Sequence, residues 1–223
     1  MGSLPPSSST VPPLRLVLAS NNAKKLAELR ALFDGLALTL VAQGELGIAE
    51  AEEPHATFVE NALVKARAAA AASGGPAMAD DSGLVVPALG GAPGVISAEY
   101  AGRVPADAAL DREARRRMQD AANNALLLER MRDVADRRAA FVCTLVALRH
   151  AEDPLPLVAT ARWNGVLRAA PRGTAGFGYD PLLLVPELGA TVAELAPEVK
   201  NRVSHRAQAA AQIRELLRTQ WDL

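Results

Sequence analysis

Three features of the chain predict an α/β fold. An apolar run turns directly into an amphipathic helix between Leu14 and Phe33. Two strand-length apolar runs, Ala139 to Arg149 and Leu157 to Trp163, are joined by an acidic turn containing proline, and helical stretches stand before and after that pair.

Taken in order, Leu14 to Ala19 reads as a buried strand, Ser20-Asn21-Asn22 as turn and N-cap, and the helix that follows carries Leu26, Leu29 and Phe33 on one side. Leu38 to Gln43 is a second strand candidate, and Gly44 to His55 is an acidic, irregular connection. Thr57-Phe58-Val59-Glu60 matches a capping box and opens a second helix, whose expected apolar stripe is Val59, Leu63, Ala66 and Ala70 and which ends near Ser73-Gly74-Gly75. Pro76 to Ala79 leads into Asp80-Asp81-Ser82-Gly83, where Gly83 permits a sharp turn, before Leu84 to Val86 resumes a strand and Gly90-Gly91-Ala92-Pro93-Gly94 turns again. The charged section from Asp111 to Arg138 is expected to be helical from about Ala122 to Val134. Then come the hairpin, a Gly-rich loop from Gly173 to Pro181, the apolar Leu182 to Val185, and a helix from Pro197 with Val203, Ala207, Ala210 and Ile213 on one face. Neither a repeat nor a dividing linker occurs, so residues 14–223 read as a single domain. Met1 to Pro13 is Ser/Pro-rich, lacks the features of a secretory signal, and reads as a disordered tail.

Composition narrows the function. With 223 residues, 50% of them hydrophobic, the chain can bury one sizeable core. A net charge of -1, with acids and bases interspersed, creates no overall field for nucleic acid or an anionic membrane, and 4% aromatic residues leave few platforms for stacked bases. No nucleic-acid partner is expected. Nor does any apolar run approach the roughly eighteen residues of a membrane span. The single cysteine, Cys143, lies in an apolar run and has no partner for a disulfide within the chain, which suits a reducing cytoplasm.

Anion binding must then be local, and the lysines mark where. Only four of the 24 basic residues are lysines, Lys24, Lys25, Lys65 and Lys200, and each sits in a segment with other chemical features. A compact ammonium fits narrow phosphate sites that a guanidinium fork does not. Ser20, Asn21, Asn22, Ala23, Lys24 and Lys25 place short polar groups and two ammoniums where a helix begins, the ingredients of a phosphate cradle, although simple capping by an asparagine explains the same residues. The Walker spacing is absent. Asp80-Asp81-Ser82-Gly83 suits a hard cation that keeps most of its water, with Asp81, beside Ser82, as the carboxylate that reaches it; the plainer alternative is an Asx turn closing a strand. Glu50, Glu52 and Glu53 could add acids, Glu53 ahead of Glu60 because the capping box accounts for Glu60. Asn61 and Lys65, four apart, are expected to share a helix face turned away from the apolar stripe.

Further on, Phe177, Gly178, Tyr179 and Asp180 offer backbone donors, two aromatics and a carboxylate, a place to hold a flat base. Lys200, Ser204, His205 and Arg206 cluster at the C-terminal helix, where a base or phosphate could bind. Arg115-Arg116-Arg117 reads as a solvated helix face, with polyanion binding as the alternative. Serine, cysteine and zinc chemistry lack their signatures.

Six segments in order, SNNAKK, TFVENALVKA, ADDSGLVV, GGAPGVISAEYAG, GFGYDP and VKNRVSHRAQA, resemble the inosine triphosphate pyrophosphatase family, which hydrolyses non-standard purine nucleoside triphosphates. The resemblance implies cleavage of ITP, dITP or XTP to the monophosphate and pyrophosphate with Mg²⁺. It implies that Ser20 to Lys25 and Lys65 hold the triphosphate, that Asp81 is the catalytic acid/base and a metal ligand, and that Glu53 assists with the metal. Ser82, Phe177 to Asp180, Lys200, His205 and Arg206 would line the nucleoside and phosphate pocket. The implied fold is an elongated mixed β-sheet flanked by helices, in two lobes with a central active-site cleft, and the implied assembly is a homodimer. This chain departs from many members in carrying Ser20-Asn21-Asn22 for Thr-Gly-Asn, and its 111–138 section is long. Two alternatives stay open: a pyrophosphatase for other modified nucleotides, and a nucleotide-binding regulator without turnover.

Overall fold

The computed structural model describes residues 12–105 and 110–223. Among these residues seven strands, β1 (Leu14–Leu18), β2 (Leu38–Ala42), β3 (Ala77–Val85), β4 (Arg138–Leu148), β5 (Leu157–Leu167), β6 (Leu183–Val185) and β7 (Ala190–Thr191), form one sheet in the order β2-β1-β3-β4-β5-β6-β7. The first three pair in parallel and the remainder antiparallel, so the sheet is mixed. Five α-helices flank it: α1 (Ala23–Leu32), α2 (Phe58–Ser73), α3 (Arg112–Arg130), α4 (Pro197–Val203) and α5 (His205–Trp221). The α/β expectation therefore holds, with a mixed sheet between helices. Of the expected 1–13 tail, residues 1–11 lie outside the described residues.

Burial follows from what covers each strand. β4 sits mid-sheet and is buried almost throughout, whereas β5 alternates buried and exposed residues because helices cover only one of its faces. One apolar cluster joins Leu16, Leu18 and Leu145 to Leu29, Phe33, Ile213 and Leu217, between the sheet and α1 and α5. A second joins Val17, Ala77, Ala79, Val146 and Leu148 to the alanine face of α2. A third gathers Leu84, Phe141, Trp163 and Leu183 with Leu127 and Met131 at the other end of the sheet.

Five local expectations are corrected. The inward stripe of α2 is Ala62, Ala66, Ala69 and Ala70, while Val59 is exposed, because only small side chains let the helix lie close on the sheet. Asn61 and Lys65 consequently face inward and are buried. Asp80 to Gly83 neither turns nor ends a strand but lies inside the nine-residue β3. There Gly83 serves close approach: a Cβ would collide with the Gly94 carbonyl and the Ser97 hydroxyl. The helix expected from Ala122 begins at Arg112, capped by Asp111 Oδ1, which accepts from the Ala114 amide at 2.7 Å. Finally, the C-terminal helix breaks at Ser204, which closes α4 and caps α5 by accepting from the Ala207 amide.

Candidate active site

β3 outruns its parallel neighbour. Pairing with β1 covers only Val17↔Ala77 and Leu18↔Met78, because β1 stops at Leu18 and the chain turns into α1. From Asp80 to Ser82 one edge of β3 has no strand beside it, before Leu84 bonds Ser97 Oγ and Val85 bridges Pro93, and a cleft of about 1080 Å³ opens there. Its walls include Ser20 and Asn22 from the β1–α1 turn, Lys25 from the first turn of α1, Asp80, Asp81 and Ser82 from β3, Lys65 from α2 and Glu50 to Glu53 from the acidic connection. The topology thus leaves the carboxyl end of a central strand open beside a helix start.

The β1–α1 turn is held by its own side chains. Ser20 Oγ accepts from the Asn22 amide at 3.2 Å, and Asn22 Oδ1 accepts from the Lys24 and Lys25 amides at 3.1 and 3.3 Å. Asn22 Nδ2 is buried without a partner. Lys25 Nζ donates to Asp80 Oδ1 at 2.6 Å.

Adjacent residues of a strand point to opposite faces, and here that places two carboxylates in different surroundings. Asp80 is saturated. Lys25 and Ser82 Oγ donate to its Oδ1 at 2.6 Å each, while Arg206 Nε reaches Oδ2 at 2.7 Å. Burial opposes ionisation of Asp80, yet Arg206 and Lys25 hold its carboxyl well below the usual range. Asp81 accepts from Lys65 through Oδ1 at 2.9 Å, and its buried Oδ2 has no hydrogen-bond partner. Burial pushes this carboxyl up to about 6 against the pull of Lys65, with Glu53 adding to the rise. Two neighbouring carboxylates whose environments drive their acidities apart are the pattern of an acid/base pair with divided roles.

Lys65 is the hub on the Asp81 side. Its ammonium meets Asp81 Oδ1 at 2.9 Å, the Asp80 carbonyl at 3.1 Å and Glu53 Oε2 at 3.1 Å, three acceptors for three donors. Burial alone would lower its pKa, but Asp81 and Glu53 raise it. Asn61, one turn earlier, does not reach into the cleft: it clamps His55, accepting from its amide at 2.9 Å and donating to its carbonyl at 3.1 Å, which anchors the segment that carries Glu53.

A buried tier lies behind Asp80. Arg206, 1% exposed, also bonds Glu28 and reaches Ser82 Oγ at 3.3 Å. Lys200 bridges Glu28 at 3.1 Å and Asp180 Oδ2 at 2.9 Å, and its ammonium lies 4.8 Å from the centroid of the Phe177 ring. His205 stacks on Phe141 with centroids 5.0 Å apart; burial, then Arg206, hold its pKa well below the usual value, so it is neutral. The Gly-rich loop is pinned from several sides. Tyr179 donates to the Ser97 carbonyl at 2.9 Å, and the Gly178 amide donates to Asp120 Oδ2 at 2.8 Å. The Phe177 amide donates to Asp180 Oδ2 at 3.0 Å. Gly176 has φ 79°, and a Cβ there would overlap the Asp180 carboxylate.

Of the residues singled out in the sequence, Ser20, Asn22, Lys25, Glu53, Lys65, Asp81 and Ser82 meet at the cleft. Lys200, His205, Arg206, Tyr179 and Asp180 form the buried tier, with Phe177 and Gly178 at its margin, and none of these lines the cleft. Nor do Asn21, Ala23 and Lys24; Lys24 pairs with Glu113 at 2.9 Å on the outer side. Sequence reading missed Asp80 and Glu28 as partners of the basic residues, although Glu28 lies one helical turn beyond Lys25. It also missed that Arg112, Arg115, Arg116, Gln119 and Asp120 of α3 line the cleft, a stripe at helical spacing that the late helix start concealed.

A match to the Ham1 family model covers residues 16–216. The chain belongs to the Ham1 family. Over 208 residues it is 64% identical to a dITP/XTP pyrophosphatase of Methylibium petroleiphilum, covering 93% of this chain and 99% of that protein. The dITP/XTP pyrophosphatase of Burkholderia pseudomallei is 60% identical over 195 residues, 87% of this chain and 89% of its own. Among solved structures, a HAM1 protein from Coxiella burnetii superposes with a TM-score of 0.81 at 42% identity, covering 92% of this chain and 98% of that one. The Staphylococcus aureus Ham1 protein gives 0.77 at 35% identity, covering 91% and 97%. Family membership matches the resemblance carried by the six motifs, and the superpositions extend it to the fold. No helix among the described residues is long and apolar enough to cross a membrane.

Proposed function

We propose that this Ham1-family chain hydrolyses non-standard purine nucleoside triphosphates, dITP, ITP and XTP, to the monophosphate and pyrophosphate. The observation that carries the reading is the half-used Asp81 carboxylate, poised near neutral pH in the cleft beside Lys65 and Glu53; the names of the Methylibium and Burkholderia relatives supply the substrate class.

Asp81, with its free Oδ2, orients a water and takes its proton as the water oxygen bonds to phosphorus. The bond to the leaving pyrophosphate breaks, and the electron pair goes to the departing oxygen. Lys65 holds Asp81 in place, and Asp80, ionised and saturated, keeps Lys25 at the phosphate end of the cleft. The residues also fit a hard divalent cation. Asp81 Oδ1 and the Glu53 carboxylate meet at the Lys65 ammonium, and the second Asp81 oxygen, Oδ2, is left without a partner. Among the described residues no group of three histidine, cysteine or acidic side chains could hold a metal, so Mg²⁺ would rest on Asp81 and Glu53, with water and phosphate oxygens completing its shell. Such an ion would neutralise triphosphate charge and polarise the reacting phosphoryl group.

The base would be read beside the half-buried Phe177 and Gly178, with Asp180, Lys200, His205 and Arg206 supporting that loop and Asp80 from behind, in a cleft between two lobes. A homodimeric cytoplasmic enzyme completes the proposal. Pyrophosphate release from dITP, ITP, XTP, dUTP, ATP and GTP with Mg²⁺ tests it. Turnover confined to the first three is expected, and equal turnover of ATP and GTP, a pyrimidine preference, or binding without turnover would overturn it.

A further inference from the structure

The stripe Arg112, Arg115, Arg116, Gln119, Asp120 runs along the cleft, and its continuation, Asn123 and Leu127, is buried. Arg112 and Arg115 are exposed and Arg116 is half-buried, so the arginines stand at the solvent-facing mouth of the cleft, whereas Arg117, beside Glu113, does not line it. Arginines gathered along one wall of a cleft give that wall a positive field to which an anion is drawn.

The other cations of the cleft are already engaged. Lys25 holds Asp80 at 2.6 Å, Lys65 has three acceptors, Arg103 pairs with Glu99 at 3.0 Å and Arg112 reaches Glu50 at 3.4 Å. Among the described residues Arg115 and Arg116 alone of the cleft cations have no carboxylate within salt-bridge distance. Arg115 Nε donates to the Leu110 carbonyl at 2.9 Å, and the Arg116 guanidinium lies 6.0 Å from the Phe177 ring. Asp120, next along the stripe, accepts from the Gly178 amide. A triphosphate entering this cleft also meets Glu50, Glu52, Glu53, Asp80 and Asp81, and lysines already neutralised by those acids offset little of its charge.

We propose that Arg115 and Arg116 bind the polyphosphate, gripping the part that leaves as pyrophosphate and so selecting triphosphates over monophosphates. This rests on the nucleotide reading of the cleft. The planar forks can each take two phosphate oxygens, a contact the committed lysines do not offer.

The test uses the full chain, R115Q/R116Q, R115K/R116K and the outward control R117Q. KM for dITP is measured, with inorganic tripolyphosphate and inosine monophosphate as competitors and thermal melting as the check on folding. In R115Q/R116Q, KM and the inhibition constant of tripolyphosphate both rise roughly ten-fold or more, while that of the monophosphate is unchanged. The lysine pair falls between, and R117Q matches the unmodified chain. Equal inhibition of R115Q/R116Q and unmodified chain by tripolyphosphate overturns the inference while leaving the enzyme reading intact. No pyrophosphate from dITP with the unmodified chain overturns both.

Discussion

Lys65 and Asp81 meet at 2.9 Å through one carboxylate oxygen, while the other oxygen of Asp81 is buried with no partner. A buried, half-satisfied carboxylate costs stability, and such a cost persists where the open position serves a reaction. Lys65 fixes the carboxylate without occupying the oxygen that would act.

Lys65→Arg tests the choice of lysine. A guanidinium keeps the charge but cannot place three donors on Asp81, Glu53 and the Asp80 carbonyl from one point. We expect kcat to fall by about 100-fold with the fold retained, checked by steady-state kinetics and circular dichroism. Full activity would refute this role.

Asp81→Asn separates chemistry from stability. Because its folded pKa is raised, Asp81 favours folding while protonated; that contribution is complete below the ordinary value of 3.8 and is lost as pH rises through about 6. At pH 7 the ionised carboxylate opposes folding, so the amide is expected to abolish turnover and to raise stability by about 1–3 kcal/mol. Chemical denaturation at pH 7 measures the second effect, and a clear loss of stability would contradict the assigned environment.

Asp80→Asn has the opposite sign. Its depressed pKa means that ionised Asp80 supports folding above the ordinary carboxylate value, with that support lost only as pH falls through the depressed folded value. Removing the charge leaves Lys25 and part of Arg206 buried without their counterion, a loss of about 3–5 kcal/mol. The variant's melting temperature at pH 7 should drop sharply, and an unchanged value would show that the network is not coupled to folding.

Carboxyl NMR on metal-free protein gives a fourth check. One aspartate, absent from the spectrum of Asp81→Asn, should titrate near pH 6. Adding Mg²⁺ should move that titration down, since a cation favours the charged form; a titration indifferent to Mg²⁺ would remove Asp81 from the metal site.

Much of this was legible in the chain. Apolar runs marked β1, β2, β4 and β5 within a few residues, since strand and hairpin signals are local. The Asn22 and Thr57 caps could be read for the same reason: the donors they satisfy lie two or three residues away. The late placement of the α3 start had a physical cause, because a first half that lines a cleft with arginine and glutamine does not display the apolar periodicity that announces a buried face. Asp80-Asp81-Ser82-Gly83 looked like a turn for a related reason, its polar residues being buried only because Lys25, Arg206 and Lys65 arrive from elsewhere to neutralise them.

By itself the sequence determined the alternation of strands and helices, the capped helix starts, and which segments hold the lysines and acids of the site. Tertiary structure alone decided which acid meets which base. Lys25 and Asp80 are 55 residues apart in sequence, and Arg206 and Asp80 are 126 apart. Those pairings depend on where β1 ends beside β3 and on how α5 packs across the sheet, and they set the charge of each carboxylate. Two adjacent aspartates of the same residue type thereby become a saturated anchor and an open, near-neutral base, because opposite faces of one strand meet different cations.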